Sequence, residues 1–496
     1  MIIYGNFDVV VVGGGVSGCA AAISAARQGA KTILIERFGI LGGMMNVTGP
    51  PGWAFAHLWN DRGEQIIAGL VEEIHHRLEK DGHALPYPAK EDWSFNNAYA
   101  FVDPDWFGLL MFEMLREEKV ELLMHSLGTG VIKEGNAVKG VVVENTNGQM
   151  AVMGKVIIEA SGEGDIAVRA GVPFVKVNRK EEEIDPPSIT FHMDGVDWAK
   201  VTEYMKAHPE AFLNDTFGLK RTALQEEIHQ RGLKRLQECK CITDLVKKGQ
   251  LGTLNFDKIS AQALAAGDMH PYGDLGFFFT PRDGGHIQAI FQHTAQVPDC
   301  DINDIKELSI GESEARRQVV IALKAIKKYL PGFENAYFTR LTVAVRAREG
   351  RHMEGDYQLV TPDVDEARKF DDVIAKCAMS TTTGGPFHST ATPGTSMNVN
   401  PDRGYHRPKD GGSYDVPYRS LVPKNVENML MCGKLASVSK DFKRDLLPDN
   451  IANGQAAGIA AALCVKKGIT PREMEKDVKE LQSILVKQGA ILTGTH

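Results

Sequence analysis

The chain has few cysteines for its 496 residues: Cys19, Cys239, Cys241, Cys300, Cys377, Cys432 and Cys464, odd in number and scattered. Such a set belongs to a reducing compartment rather than to a disulfide framework. No CxxC pair occurs, which excludes a dithiol redox centre and argues against a cysteine-ligated iron–sulfur cluster. Cys239 and Cys241, in CKC within a charged helical stretch, read as ordinary surface or half-buried residues. Basic excess is missing too. The formal net charge is −8, without the basic face of a nucleic-acid binder. No stretch approaches the roughly 18 apolar residues of a membrane span, and the N-terminus lacks the basic, apolar and small-residue regions of a signal peptide. A cytoplasmic protein is therefore expected. Neither HExxH nor GxSxG occurs, so zinc-protease and serine-hydrolase chemistry have no carrier here.

What is present is concentrated in Asp8 to Arg37, DVVVVGGGVSGCAAAISAARQGAKTILIER. An apolar strand breaks into Gly13, Gly14 and Gly15. A small-residue helix from about Val16 to Gln28 follows, then a second strand, Thr32 to Ile35, ending on Glu36. Gly13 permits the tight turn, Gly15 lets backbone approach a pyrophosphate, and Gly18 lets the helix pack closely on the strand. Phosphates would rest on the helix N-terminus, where unpaired N–H groups and the macrodipole favour negative charge. Glu36 stands where an acid takes a ribose hydroxyl pair, and an acid there disfavours the 2′-phosphate of NADP. Strand, glycines, helix, strand and acid in this order predict a bound dinucleotide.

The expected fold class is α/β: a two-part Rossmann-type dinucleotide domain with an inserted α+β substrate domain. Residues 1–174 form its N-terminal part, 175–410 the insertion, 411–470 the C-terminal part and 471–496 a helical tail. Periodicity predicts helices over Ile66–Asp81, Asp105–Lys119, Asp197–Lys206, Arg221–Lys247 and Glu312–Tyr329. Strands are expected at Val120–His125, Gly130–Lys133, Val138–Asn145 and Met150–Met153, with turns at Gly135–Asn136 and Asn147–Gly148. In the insertion, Ser188–Met193, Phe277–Thr280 and His286–His293 read as strands. Ser380 to Tyr414, rich in Gly, Pro, Ser, Thr and Asn, reads as an irregular loop.

Five segments carry a wider likeness: GGGVSGCAAAISAARQGA…LIER, EASGEGDIAVRAGVPF, REGRHMEGDYQL, VPYRSLVPKNVENMLMCGKLASVS and NGQAAGIAAAL. Together they resemble the FAD-dependent oxidoreductases whose flavin domain follows glutathione reductase, and more narrowly a bacterial subgroup of that name. The likeness runs from Asp8 to about Thr470. It is specific for fold and FAD and uninformative about substrate. It implies an extended FAD, its ADP half held by Gly13, Gly15, Gly18 and Glu36. Val16 and Ser17 lie at the helix N-terminus, with Arg37, Gly42 and Gly43 nearby. Ala160–Ser161–Gly162 resembles the family's Ala-Thr-Gly turn against the adenosine–pyrophosphate region. Gly433 and Asn453, Gly454, Gln455, Ala456 and Gly458 match the motif that carries the ribityl chain and flavin. A tightly packed small-residue helix is the other reading of that last segment. The sequence departs from the family at Lys434, where arginine is usual, at His352, where a second adjacent arginine is common, and in the charged DFKRDLLPDN segment.

Chemistry beyond the cofactor rests on fewer residues. Arg346, Arg348, Arg351 and His352 fall within seven positions, beside Glu349, Glu354 and Asp356. A guanidinium fork suits a carboxylate or other planar anion; the alternative is an internal ion-pair network. Arg348, Arg351 and Tyr357 match the family pattern and are placed near the flavin. His388 is the candidate for exchanging a proton during hydride transfer, or else a solvated loop histidine. Tyr414, Tyr418 and Arg419 either close the same pocket or form a packing corner around Pro417. His192 and His286 are read as core or pocket wall. The activity this predicts is a two-electron, FAD-dependent oxidoreductase acting on a small organic substrate, an anion if the guanidinium fork binds it, as dehydrogenase or double-bond reductase. The alternatives are a flavin-dependent monooxygenase, for which no second dinucleotide motif is found, and a non-catalytic dinucleotide-binding protein. The electron donor or acceptor is not identified by any motif, and a homo-oligomer is left open.

Overall fold

The computed structural model describes residues 1–49, 58–87, 100–176, 186–211, 223–298, 300–347, 350–379, 381–383, 404–442 and 448–496. Its first sheet is built around β1 (Ile2–Val12), whose C-terminal valines are buried on both faces. Val9 and Val11 point into one core and Val10 and Val12 into another, as the two-residue period of a strand requires. Helix α1 (Val16–Arg27) and β2 (Thr32–Ile35) follow, and β2 pairs parallel to β1 with Val9 opposite Thr32. Further along come β3 (Glu121–Leu123), β4 (Leu127–Glu134), β5 (Ala137–Asn145) and β6 (Gly148–Glu159). The sheet order is β3-β2-β1-β6-β5-β4, with Met429–Met431 added beside β6.

β6 has a divided edge. Its first half pairs antiparallel with β5, and its last residues, Ile157 to Glu159, pair parallel with Met429–Met431. The return of the chain to the nucleotide-binding unit is thereby set. Parallel strands put their C-terminal ends, and so the loops at Gly13, Glu36, Ala160 and Cys432, on one edge of the sheet. That edge is where open α/β sheets bind ligands.

α1 is buried along Val16 to Ala25 because helices cover it on the side away from the sheet. The chief cover is the helix Pro448–Lys467. The two backbones touch: a Cβ on Gly454 would lie 2.4 Å from Ser17 O, and one on Gly458 2.1 Å from Ala21 O. Glycine four residues after glycine removes a ridge from one helix face and lets the other enter.

The second sheet is antiparallel in the order Tyr337–Leu341, Phe191–Asp194, Ile287–Phe291, Phe277–Pro281, Thr253–Leu254. Its two faces differ in chemistry. Phe191, Met193, Phe277, Phe279, Ala289 and Phe291 occupy one face, where Phe191 stacks on Phe291 at 5.1 Å and Phe277 meets Phe333 at 5.3 Å. The other face carries His192, Asp194, Thr280, Gln288 and Arg340, placed by cross-strand pairs such as His192 with Arg340 and Thr280 with Gln288.

Several elements differ from their sequence-based bounds for local reasons. The first helix after the nucleotide unit starts at Leu70, not Ile66. The expected helix Arg221–Lys247 is two, Ala223–Glu238 and Ile242–Val246. It breaks because Lys206 Nζ takes the Cys239 carbonyl and Thr202 Oγ1 accepts the Ile242 N–H. The long helix begins at Ile305, seven residues early, because the Asp304 carboxylate caps Lys306 N and Glu307 N. The segment after residue 350 packs beside the first sheet. Arg351–Met353 pairs with Phe174–Lys176, Met353 is in the core of β1, and Leu359 N donates to Ser437 O.

Candidate functional site

The nucleotide cradle is assembled at the C-terminal end of β1. Gly13 has φ +106°, which L-side chains rarely adopt, and a Cβ there would sit 2.5 Å from Ala160 O. A Cβ on Gly18 would lie 1.8 Å from Gly13 O, so only glycine lets the helix approach the turn. Gly15 is the N-cap of α1 and makes no side-chain cap bond. Among the described residues, the only foreign atom within 4 Å of a Cβ on Gly15 is Gly43 Cα, at 3.9 Å. Val16 and Ser17 open the helix, whose first N–H groups have no intrahelical partners. Gly42, at φ +105°, donates its N–H to Gly14 O, and this brings the second glycine loop against the first.

Glu36 is buried at the end of β2. Its carboxylate accepts the Gly14 N–H at 2.6 Å and the Phe38 N–H at 2.8 Å, while burial raises its pKa against the pull of these two bonds. Each oxygen keeps a second lone pair for a ribose hydroxyl. Arg37 is exposed, with its guanidinium over the Phe38 ring. Across the turn, Ala160 N donates to Val12 O, Gly162 has open space around it among the described residues, and the Ser161 hydroxyl is buried beside the Glu159 carboxylate. Glu159, fully buried, is a structural carboxylate: it accepts from Ser161, Ile166 and Ala167 N–H groups, burial raising its pKa against their opposing effect.

At the far end, Gly433 (φ +71°) donates its N–H to Asn453 Oδ1 at 2.7 Å, and a Cβ on Gly433 would strike Ser17 Oγ. Among the described residues, Asn453 Nδ2 and Asn450 Oδ1 are buried without hydrogen-bond partners in the first turns of the helix Pro448–Lys467. Orphaned amide atoms of both signs, above a helix N-terminus, fit the polar edge of a flavin. Asn450 escaped the sequence reading, although DN just after Pro448 is a helix-start signal. The neighbours expected beside it are used otherwise. Gly454 and Gly458 are the contact with α1, Ala456 is core, and Gln455 accepts from Leu70 N and donates to Gln488. A helix shows only one face to the cradle, and here Asn453 is on it.

Of the four candidate catalytic residues, the structure describes Arg351 and Tyr357. Arg348 and His388 lie outside the described residues, as does Glu349. Arg351 Nη1 donates to Glu163 O at 2.9 Å and Asp165 Oδ1 at 2.8 Å. Lys434 pairs with Glu163, Lys424 with Glu354, and Arg472 with Asp356 and Glu427. This is the internal ion-pair network, joining the segment to the loops of the nucleotide unit. Tyr357 Oη donates to Asp363, with Arg419 over its ring. Tyr418 is buried with its hydroxyl on Pro471 O, and Arg419 pairs with Asp372, so SYDVPYRS is a packing corner. Arg351→Ala is expected to cost about 1–2 kcal/mol in a denaturant titration, in line with a half-buried pair losing hydrogen bonds. Unchanged stability with impaired substrate turnover would instead return Arg351 to the reaction.

What the structure does bring to the cradle is the polar face of the second sheet. Ala344 N donates to Val47 O, Thr280 Oγ1 donates to Val102 O, and a Cβ on Gly49 would press on Thr190 and Thr342. Arg282 pairs with Asp103 and Asp105, and Arg340 pairs with Asp105 while donating to Asn46 O. His192 is fully buried; desolvation first, then Arg340 and Arg282, hold its pKa well below the ordinary value, so the imidazole is neutral. His286, by contrast, is exposed and bonds Asp194.

Residues 8–485 match the model of the family described as FAD dependent oxidoreductase. Among curated relatives, the digeranylgeranylglycerophospholipid reductase of Picrophilus torridus is 27% identical over 32% of this chain and 39% of its own length. Protein FixC of Salmonella typhi is 29% identical over 32% of this chain and 36% of its own. The match thus spans about two fifths of the length of these relatives. A geranylgeranyl bacteriochlorophyll reductase-like protein of Thermoplasma acidophilum is a solved structure with a TM-score of 0.42 at 16% identity, covering 98% of this chain and 84% of that one.

Proposed function

We propose, from the premise that the chain belongs to the FAD-dependent oxidoreductase family and is an enzyme with FAD as its cofactor, a two-electron reaction on a small organic anion. The enzyme would act as a dehydrogenase or double-bond reductase. FAD supplies the hydride chemistry when bound. Gly13, Gly15, Gly18, Glu36, Gly42, Gly43 and Ser161 would hold its ADP half, and Gly433, Asn450 and Asn453 its flavin end. The chain's own part in the reaction is to exclude water, orient the substrate and provide polar groups at fixed positions.

One observation carries this reading: a buried sheet face bearing His192, Thr190, Thr280, Gln288 and Arg340, covered by the segments that leave the cradle at Asn46–Gly49 and Val102–Asp105. Polar groups are costly to bury unless something pairs with them. Thr280, Gln288 and Arg340 are paired with Val102, Asp194 and Asp105, while Thr190 Oγ1 and Arg340 Nη1 stay open among the described residues. In the described residues no helix is long and apolar enough to cross a membrane.

Anaerobic mixing of the oxidised enzyme with small acids, alcohols and amines tests the proposal. Bleaching of the flavin absorbance by one class, without NADH, is the expected result. Oxygen uptake that needs NADH and hydroxylates the substrate would replace this reading by a monooxygenase.

A further inference from the structure

We propose that Arg340, Thr190, Asn46 and His192 form a subsite for a small hydroxycarboxylate, the carboxylate on Arg340 and Thr190 and the hydroxyl on Asn46 and His192. The inference rests on the oxidoreductase reading above and specifies its substrate class.

The four residues share one patch. His192 and Arg340 are cross-strand partners, and Thr190, two residues before His192, lies on the same face. Arg340 Nη2 donates to Asn46 O at 3.3 Å, and Gly49 closes over Thr190. Within this patch Arg340 Nη1, Thr190 Oγ1 and Asn46 Oδ1 are buried without a hydrogen-bond partner among the described residues, and the buried imidazole of His192 has Gln288 on one ring nitrogen, which leaves the other for a ligand. Thr190, His192 and Asn46 are each almost entirely inaccessible. Such groups persist in a folded protein where a ligand or ordered water completes them.

Their signs select the ligand. The guanidinium edge and the hydroxyl donate, so they suit a carboxylate. Asp105 already takes Arg340 Nη2 and shares Arg282, so Nη1 is the part of the guanidinium left for a ligand; Asp103 is held by Arg282, and Asp194 by Gln288 and His286. Asn46 Nδ2 is used on Leu41 O at 2.6 Å, which fixes the amide orientation and leaves Oδ1 as an acceptor. A neutral imidazole offers a second acceptor. The site therefore needs one donor group close to an anionic one, as in a hydroxy acid. A plain fatty acid leaves both acceptors unmet, and an alcohol leaves the guanidinium edge unmet.

The test titrates FAD-loaded protein with lactate and mandelate, with their deoxy analogues propionate and phenylacetate, and with the neutral lactamide and mandelamide. Changes in the flavin spectrum and in the unfolding temperature are followed. A hydroxycarboxylate should bind at least about 10-fold more tightly than either analogue, the worth of one well-made bond to a charged or buried partner. Arg340→Met should erase the preference for acid over amide while FAD content stays stoichiometric. Thr190→Val, a near-isosteric change, should weaken acid binding several-fold and covers the case in which Arg340→Met does not fold. Equal binding of all probes, no binding of any, or a preference kept in the variants that fold overturns the subsite. If the protein then still holds FAD and is bleached by a non-acidic compound, the oxidoreductase reading survives its loss.

Discussion

Gly458→Val is expected to leave almost no soluble, cofactor-loaded protein. The first carbon of the new side chain would fall 2.1 Å from Ala21 O, a backbone atom of a helix that is itself buried on all sides. Neither helix can yield separately. α1 is held to β1 and β2 by its glycine turn, and Pro448–Lys467 is fastened through Asn453 to Gly433 and through Gln455 to Leu70 and Gln488. Overpacking of this kind costs more than the typical 1–3 kcal/mol of a core insertion, because backbone rather than a rotatable side chain is displaced. A loss of roughly 4 kcal/mol or more consumes most of the stability of an ordinary domain. Soluble yield and a denaturant titration measure it. Gly130→Ala is the control, since its Cβ meets only Val142 side-chain atoms at 3.4 Å and beyond. A Gly458→Val protein with wild-type yield and FAD content would disprove the close helix contact.

The second large effect concerns affinity for FAD. Glu36→Ala removes a carboxylate that organises Gly14 N and Phe38 N and presents its remaining lone pairs toward the nucleotide cradle. Two hydrogen bonds to a charged acceptor, at about 1.5 kcal/mol each, amount to roughly a 100-fold rise in the FAD dissociation constant. Glu36→Gln keeps an acceptor without the charge and should fall near 10-fold. Reconstitution of apoprotein with FAD measures both, and far-UV circular dichroism shows whether the fold is kept. If Glu36→Ala purifies with a full complement of flavin and binds it as tightly as wild type, Glu36 serves only the loop at Gly14 and Phe38.

The two residues differ in how legible they were. Glu36 was readable because a strand, a glycine turn and an acid at fixed spacing have few uses other than a dinucleotide. Gly458 was readable as a small residue on a helix, but its role was not. Whether NGQAAGIAAAL touches a cofactor or another helix depends on which face meets which neighbour, and that neighbour is more than 400 positions away. Likewise REGRHMEGDY announced charge without its use. The partners that decide it, Glu163, Asp165, Glu427 and Arg472, belong to three other segments. The second sheet was the least visible. Its strands were expected, yet alternation within a four-residue strand such as FHMD cannot say that the polar side is buried and turned toward the cradle.

Local chemistry alone therefore determined the dinucleotide motif, the α/β class and the FAD-dependent family likeness, since these rest on backbone freedom at glycines and on spacings within some 30 residues. Only the tertiary structure decided which asparagines of the helix Pro448–Lys467 lie buried beside Gly433, that Arg351 is held in an ion-pair network, and that His192, Thr190 and Arg340 share one surface. Burial and pairing are properties of surfaces in contact, and a sequence names the residues on a surface without naming what lies against it.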